Sequence, residues 1–106
     1  MFSEIVLTQD LQKGLELFRN TPGAVLIDVR TPEEYAGGHV PGSVNLPLNT
    51  LEDGVCDAVT DTETPVFLYC RSGNRSTQAT ALLREMGYEK AVSIGGVMHY
   101  KGMLEK

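Results

Sequence analysis

The sequence predicts an α/β fold: a small open parallel sheet of about five strands, flanked by helices on both faces. Two observations lead there. Ala24-Val25-Leu26-Ile27, Pro65-Val66-Phe67-Leu68-Tyr69 and Ala91-Val92-Ser93-Ile94 are short apolar runs rich in branched or aromatic residues, the pattern of strands covered on both sides. Helix signals alternate with these runs, and that alternation implies βα units and parallel pairing. The chain has 106 residues, 42% of them hydrophobic and 22% charged. That is enough for one domain with one core, taken as residues 1–106.

The elements follow in order. Thr8 is positioned to cap a first helix, in which Leu11, Leu15 and Phe18 keep helical spacing until Asn20-Thr21-Pro22-Gly23 breaks it. The first strand ends at Asp28. Thr31-Pro32-Glu33-Glu34 is a capping box with proline at the first helical position, and Gly37-Gly38 stops the short helix it opens. Val40-Pro41-Gly42 is turn chemistry, Ser43-Val44-Asn45-Leu46 suits a short strand, and Asn49 with Glu52 suits another helix start. Ser76 to Met86 carries the strongest helical pattern, with Ala79, Leu82, Leu83 and Met86 on one face and Gly87 where a C-terminal cap belongs. A last helix is expected after Gly95-Gly96.

Composition excludes several function classes. A net charge of −5 argues against a nucleic-acid partner. No apolar stretch approaches the roughly 18 residues that span a bilayer, so no membrane partner is expected. Met1-Phe2-Ser3-Glu4 lacks a basic region followed by an apolar one, so the expected location is cytoplasmic. Two cysteines without a CxxC pair, and two histidines, predict no metal site and no cofactor. Charge is uneven: residues 1–64 carry −8 and residues 65–106 carry +3. Either this is chance, or the second part holds a local field for a small anion.

The second part contains Cys70-Arg71-Ser72-Gly73-Asn74-Arg75-Ser76. Cys70 ends a buried strand, at the sheet edge where ligands bind in open parallel sheets. The residues that follow lead into the N-terminus of the best helix, where free N–H groups and the positive end of the dipole point outward. Gly73 allows the turn to gather several N–H groups around one point, an anion nest. Such a setting, with Arg71 and Arg75 beside it, favours the thiolate, so this cysteine is a nucleophile that needs no histidine base. Cys56, in Asp-Gly-Val-Cys-Asp, is read as packing. His39 in its turn is read as a structural hydrogen-bonding residue, and Asp28 as a loop anchor.

These residues resemble the rhodanese family of sulfurtransferases. Leu26–Arg30 resembles the family's strand ending in aspartate and arginine, Glu33–Tyr35 its acidic-aromatic helix, and Gly38–Leu48 its Gly-His-apolar-Pro-Gly segment. Tyr69–Ser76 resembles the active-site loop and Gly95-Gly96 the last signature. The resemblance spans about residues 5–103. It implies that Cys70 takes a sulfur atom from a small anionic donor such as thiosulfate, holds it as a persulfide and passes it to a thiophilic acceptor. That acceptor is cyanide or a thiol, including one on a thioredoxin-like protein. Arg71, Ser72, Gly73, Asn74, Arg75 and Ser76 would bind the donor, and Asp28 and Arg30 would support the loop. Arg75 alternatively pairs with Asp28 or Glu34 and braces the loop. A monomer is expected. The sequence departs from the family's frequent tryptophan after the glycine pair: Val97 stands there, with Tyr100 nearby and no tryptophan in the chain.

Three rivals stand beside this reading. Cysteine phosphatases and arsenate reductases use a similar C-x5-R cradle, but Cys70 to Arg75 is C-x4-R, a shorter ring that fits a sulfur atom better than a tetrahedral oxyanion. A binding module without catalysis usually lacks the cysteine. A persulfide carrier serving one protein partner shares the chemistry and differs only in its acceptor.

Overall fold

Five consecutive buried residues make β3 (Val66–Cys70) the centre of the sheet. In the computed structural model, which describes residues 4–106, β3 pairs in parallel with β1 (Val25–Asp28) on one side and β4 (Ala91–Gly96) on the other. β1 pairs in turn with the two-residue β2 (Val44–Asn45), so the order is β2-β1-β3-β4. The sheet therefore has four strands among the described residues, where about five were expected. The fifth position is a single parallel bridge: Ser93 N–H donates to Ile5 O (2.8 Å) and Leu7 N–H donates to Ser93 O (2.9 Å), around Val6. The chain leaves the edge of β4 at once, because Thr8 Oγ1 accepts from Asp10 N–H (3.0 Å) and turns it into the first helix.

That helix, α1 (Leu11–Arg19), is capped by Asp10 and not by Thr8; the Asp10 carboxylate accepts from the N–H groups of Gln12 (3.0 Å) and Lys13 (3.5 Å). Gly14 lets α1 lie directly on β4, since a Cβ there would overlap the Ile94 side chain. The capping box forms as expected: Thr31 Oγ1 accepts from Glu34 N–H, and Glu34 Oε1 accepts from Thr31 N–H, opening α2 (Pro32–Ala36). Asn49 does not cap the next helix. A 3-10 turn (Leu48–Thr50) runs straight into α3 (Leu51–Ala58), whose N-cap position is Thr50 with no side-chain capping bond. α4 (Asn74–Glu85) starts two residues before Ser76. Its end is a Schellman motif: Gly87 N–H donates to Arg84 O and Tyr88 N–H to Leu83 O, with Gly87 at φ +107°. In place of a last helix there is one 3-10 turn, Val97–His99.

Alternation along the strands divides the core between two faces. Ile27, Leu68, Cys70 and Ala91 pack with Leu51, Val55, Ala79 and Leu83 of α3 and α4. Leu26, Phe67, Tyr69 and Ile94 pack with Leu11 and Leu15 of α1. Helices on both faces are thus present, and each fully buried leucine or isoleucine contributes about 1.5–3 kcal/mol of burial. Val97 and Tyr100 pack against the core on the α1 side. No helix among the described residues is long and apolar enough to cross a membrane.

Candidate active site

The strand register determines what Cys70 meets. A one-residue shift between Leu68 and Cys70 sets Gly96, rather than Gly95, opposite Cys70 on β4. The end of β4 then lies against the loop: Met98 N–H donates to Arg71 O (2.9 Å), and a Cβ on Gly96 would overlap the Arg71 carbonyl. Gly73 is buried at the N-cap of α4 with φ +102°, a conformation L-residues avoid, and a Cβ there would also press on Gln9 Oε1 at 3.1 Å.

This turn folds the chain over the sulfur. Cys70 Sγ accepts hydrogen bonds from Gly73 N–H (3.0 Å) and Ser76 N–H (3.4 Å), one from the loop and one from the first turn of a twelve-residue helix. Amides and dipole together stabilise negative charge at that point. Cys70 itself is 0% exposed. Arg71, Ser72 and Asn74 are exposed around it, and Ser76 is buried. Two clefts flank the loop. One of about 370 Å³ is lined by Arg71 and Ser72 with His99, Tyr100 and Lys101. The other, about 330 Å³ and almost wholly apolar, is lined by Val29, Pro47, Leu48 and Arg75. Cys70 lines neither, so the loop stands between its sulfur and solvent.

Arg75 reaches back across the sheet to Glu34, with Nη1 to Oε1 at 2.7 Å and Nη2 to Oε2 at 3.0 Å. Hydrogen bonding from Arg75, outweighing partial burial, holds the Glu34 carboxyl down at about 2 from an ordinary 4.5. Because the folded value lies below the unfolded one, this pair's contribution to stability is full above about pH 4.5 and is lost as pH falls toward 2. Glu34→Gln is therefore expected to lower the melting temperature at pH 6, with the difference from wild type vanishing near pH 2. Thermal denaturation of both proteins across that range checks it. A difference that persists unchanged at the acid end would assign the loss to packing.

Asp28 and Arg30 brace a different loop from the one at Cys70. Arg30 grips the Asp28 carboxylate (Nη2–Oδ2 2.7 Å) and donates to Gly38 O (2.7 Å), both side chains being buried. The Asp28 carbonyl accepts from Leu46 N–H and Asn45 Nδ2. They anchor the connection from α2 to β2. His39 stacks on Tyr35 (centroids 3.7 Å apart) and donates from Nδ1 to Tyr35 O (2.9 Å). Its backbone pairs with Glu105.

Cys56 is exposed, not packed. Leu51 and Val55 point α3's apolar side inward, and Cys56, about 100° further round, faces out. Sequence reasoning also missed Tyr69 and Ser93. The Tyr69 hydroxyl is fully buried, accepts from Val40 N–H (3.0 Å) and donates to Ser43 Oγ (3.2 Å), and burial pushes its ionisation far above the usual range. Ser93 sits 2.7 Å from Ser76 Oγ. A hydroxyl inside the apolar run of β4 was the available signal.

Similar sequences and a similar fold occur among known proteins. The sequence profile of the Rhodanese-like domain matches residues 10–102. The thiosulfate sulfurtransferase PspE of Escherichia coli is 42% identical over 71 residues, 67% of this chain and 68% of PspE. The thiosulfate sulfurtransferase GlpE of Ectopseudomonas mendocina is 36% identical over 85 residues, 80% of this chain and 74% of GlpE. A solved structure of a rhodanese with anions from E. coli superposes with a TM-score of 0.73 at 37% identity, covering 78% of this chain and 98% of that one. With a profile match across nearly the whole sequence and relatives above 30% identity, the chain belongs to the rhodanese-like domain family.

Proposed function

We propose that the protein is a sulfurtransferase that moves a sulfane sulfur from thiosulfate or a similar anionic donor to a thiophilic acceptor through Cys70. The observation that carries this reading is the sulfur of Cys70 held by the N–H groups of Gly73 and Ser76 at the head of α4. The Cys70 thiolate attacks the outer sulfur of thiosulfate. The donor's S–S bond breaks, its electron pair leaves with sulfite, and Cys70 keeps a persulfide. Cyanide or a thiolate then attacks the outer persulfide sulfur, and the electron pair returns to Cys70. Amides and a helix terminus that favour a thiolate also favour the persulfide anion.

Arg71, exposed beside the larger cleft with Lys101 and His99, supplies the charge that draws a dianionic donor and balances sulfite as it leaves. Arg75, committed to Glu34, braces the loop. Because the sulfur is screened, a donor reaches it only as the Arg71–Ser72 segment yields. The acceptor is a small thiol, cyanide, or a thiol on a thioredoxin-like protein. The unit is read as one monomeric domain working in the cytoplasm, where its two free cysteines suit a reducing compartment.

The test is the intact mass after treatment with thiosulfate. The expected result is a gain of one sulfur atom, lost on adding cyanide with release of thiocyanate, and no hydrolysis of an aryl phosphate. No sulfur adduct, or phosphatase turnover that depends on Cys70, would overturn the reading in favour of the C-x5-R class.

A further inference from the structure

β4 brings a fully buried hydroxyl, Ser93, to the rear of the loop. The Ser93 backbone is occupied by Ile5 and Leu7. Among the described residues its Oγ meets one partner, Ser76 Oγ at 2.7 Å. A buried hydroxyl proton needs an acceptor. If Ser93 accepted from Ser76, its own proton would have none, so Ser93 donates and Ser76 accepts.

The direction of that bond governs the Ser76 proton. Ser76 Oγ also lies 3.1 Å from Gly73 O and 3.5 Å from Cys70 Sγ. In the thiol form, Ser76 Oγ accepts from both Ser93 and the Cys70 S–H, and its own proton goes to Gly73 O. When Cys70 ionises, its proton leaves for solvent and the Ser76 hydroxyl turns to donate to the thiolate. Gly73 O gives up one of three donors and keeps Thr77 N–H (3.1 Å) and Thr77 Oγ1–H (2.7 Å), so the turn costs little. Ser93 donates throughout and polarises the Ser76 O–H, strengthening each bond in the chain by about 10–30%.

We propose, on the sulfurtransferase reading of Cys70, that Ser93 is a positioning residue: through Ser76 it orients a hydroxyl proton onto the Cys70 thiolate. The charged groups around the sulfur are Arg71, Arg75 with its partner Glu34 on α2, and the Asp28–Arg30 pair at the end of β1. β4 contributes this uncharged hydroxyl, so substitution at 93 leaves those charges in place.

The experiment is the rate of Cys70 alkylation by iodoacetamide against pH, in a Cys56→Ser background. Ser93→Ala, which removes one oxygen, is expected to slow alkylation roughly two- to fivefold on the acidic limb, with the alkaline plateau unchanged. Below the midpoint, kcat/KM for thiosulfate should fall by the same factor. Ser93→Thr, which restores a hydroxyl, should return the profile to that of wild type. A merely structural role would lower melting temperature and leave the profile where it was. A Ser93→Ala profile that superposes on wild type, or a Ser93→Thr profile no different from Ser93→Ala, overturns the proposal. If wild type transfers no sulfur yet the profile shifts, the sulfurtransferase reading fails and the hydroxyl chain stands.

Discussion

Replacing Cys70 by serine is expected to abolish sulfur transfer from thiosulfate to cyanide, by roughly three orders of magnitude or more, while Cys56→Ser keeps most of the activity. A serine hydroxyl at the end of β3 would still accept from Gly73 and Ser76 N–H, so the loop would close over it. The fold should therefore survive and the chemistry should not, because a neutral hydroxyl is a poor nucleophile toward sulfane sulfur. Cys56 is exposed on the outer side of α3, among Glu52, Asp53 and Asp57, and is distant from any of the bonds that hold the loop. Steady-state assay of thiocyanate, with melting curves for both variants, checks the contrast. Equal losses in the two variants, or a fully active Cys70→Ser protein, would remove Cys70 as the nucleophile.

Gly96→Ala is expected to cost about 1–3 kcal/mol of stability and about a hundredfold in kcat. The cause is steric and not conformational. Gly96 has φ −150°, which any residue adopts, but its Cβ would occupy the space of the Arg71 carbonyl and the Ser72 amide. Both obstacles are backbone, so neither can swing aside. The loop would have to lift from β4, stretching the Met98–Arg71 hydrogen bond and moving the Gly73 amide off the sulfur. Gly37→Ala is the control: φ is −77° there, and an added Cβ would meet carbonyl oxygens only at 3.5 and 3.6 Å. It should leave activity near wild type. Wild-type turnover in Gly96→Ala would show that the close approach of β4 to the loop is dispensable.

Much of this protein follows from signals a few residues long. The apolar runs at Val25, Val66 and Ala91 become strands because branched and aromatic residues dominate them and helices can cover them on both faces. Thr31 and Glu34 cap α2, and Gly87 ends α4, because capping involves only neighbours within one turn. Cys70 could likewise be assigned to the head of a helix from sequence alone, since strand, glycine turn and helix are contiguous. Tertiary structure decided the rest. Thr8 yielded the cap of α1 to Asp10 because the segment before it is bonded to Ser93 on β4. Arg75 had two acidic candidates, and the tertiary fold brings Glu34, 41 residues away, to its guanidinium. Cys56 faces solvent because Leu51 and Val55 claim the inner side of α3. Ser93 lies behind Ser76 because the parallel register sets it opposite Leu68, and Gly96 lies against Arg71 because a one-residue shift beyond that pair sets it opposite Cys70. Local rules set which backbone conformation each segment adopts. Contacts between segments far apart in the chain depend on register and layer packing, which no short stretch of sequence encodes.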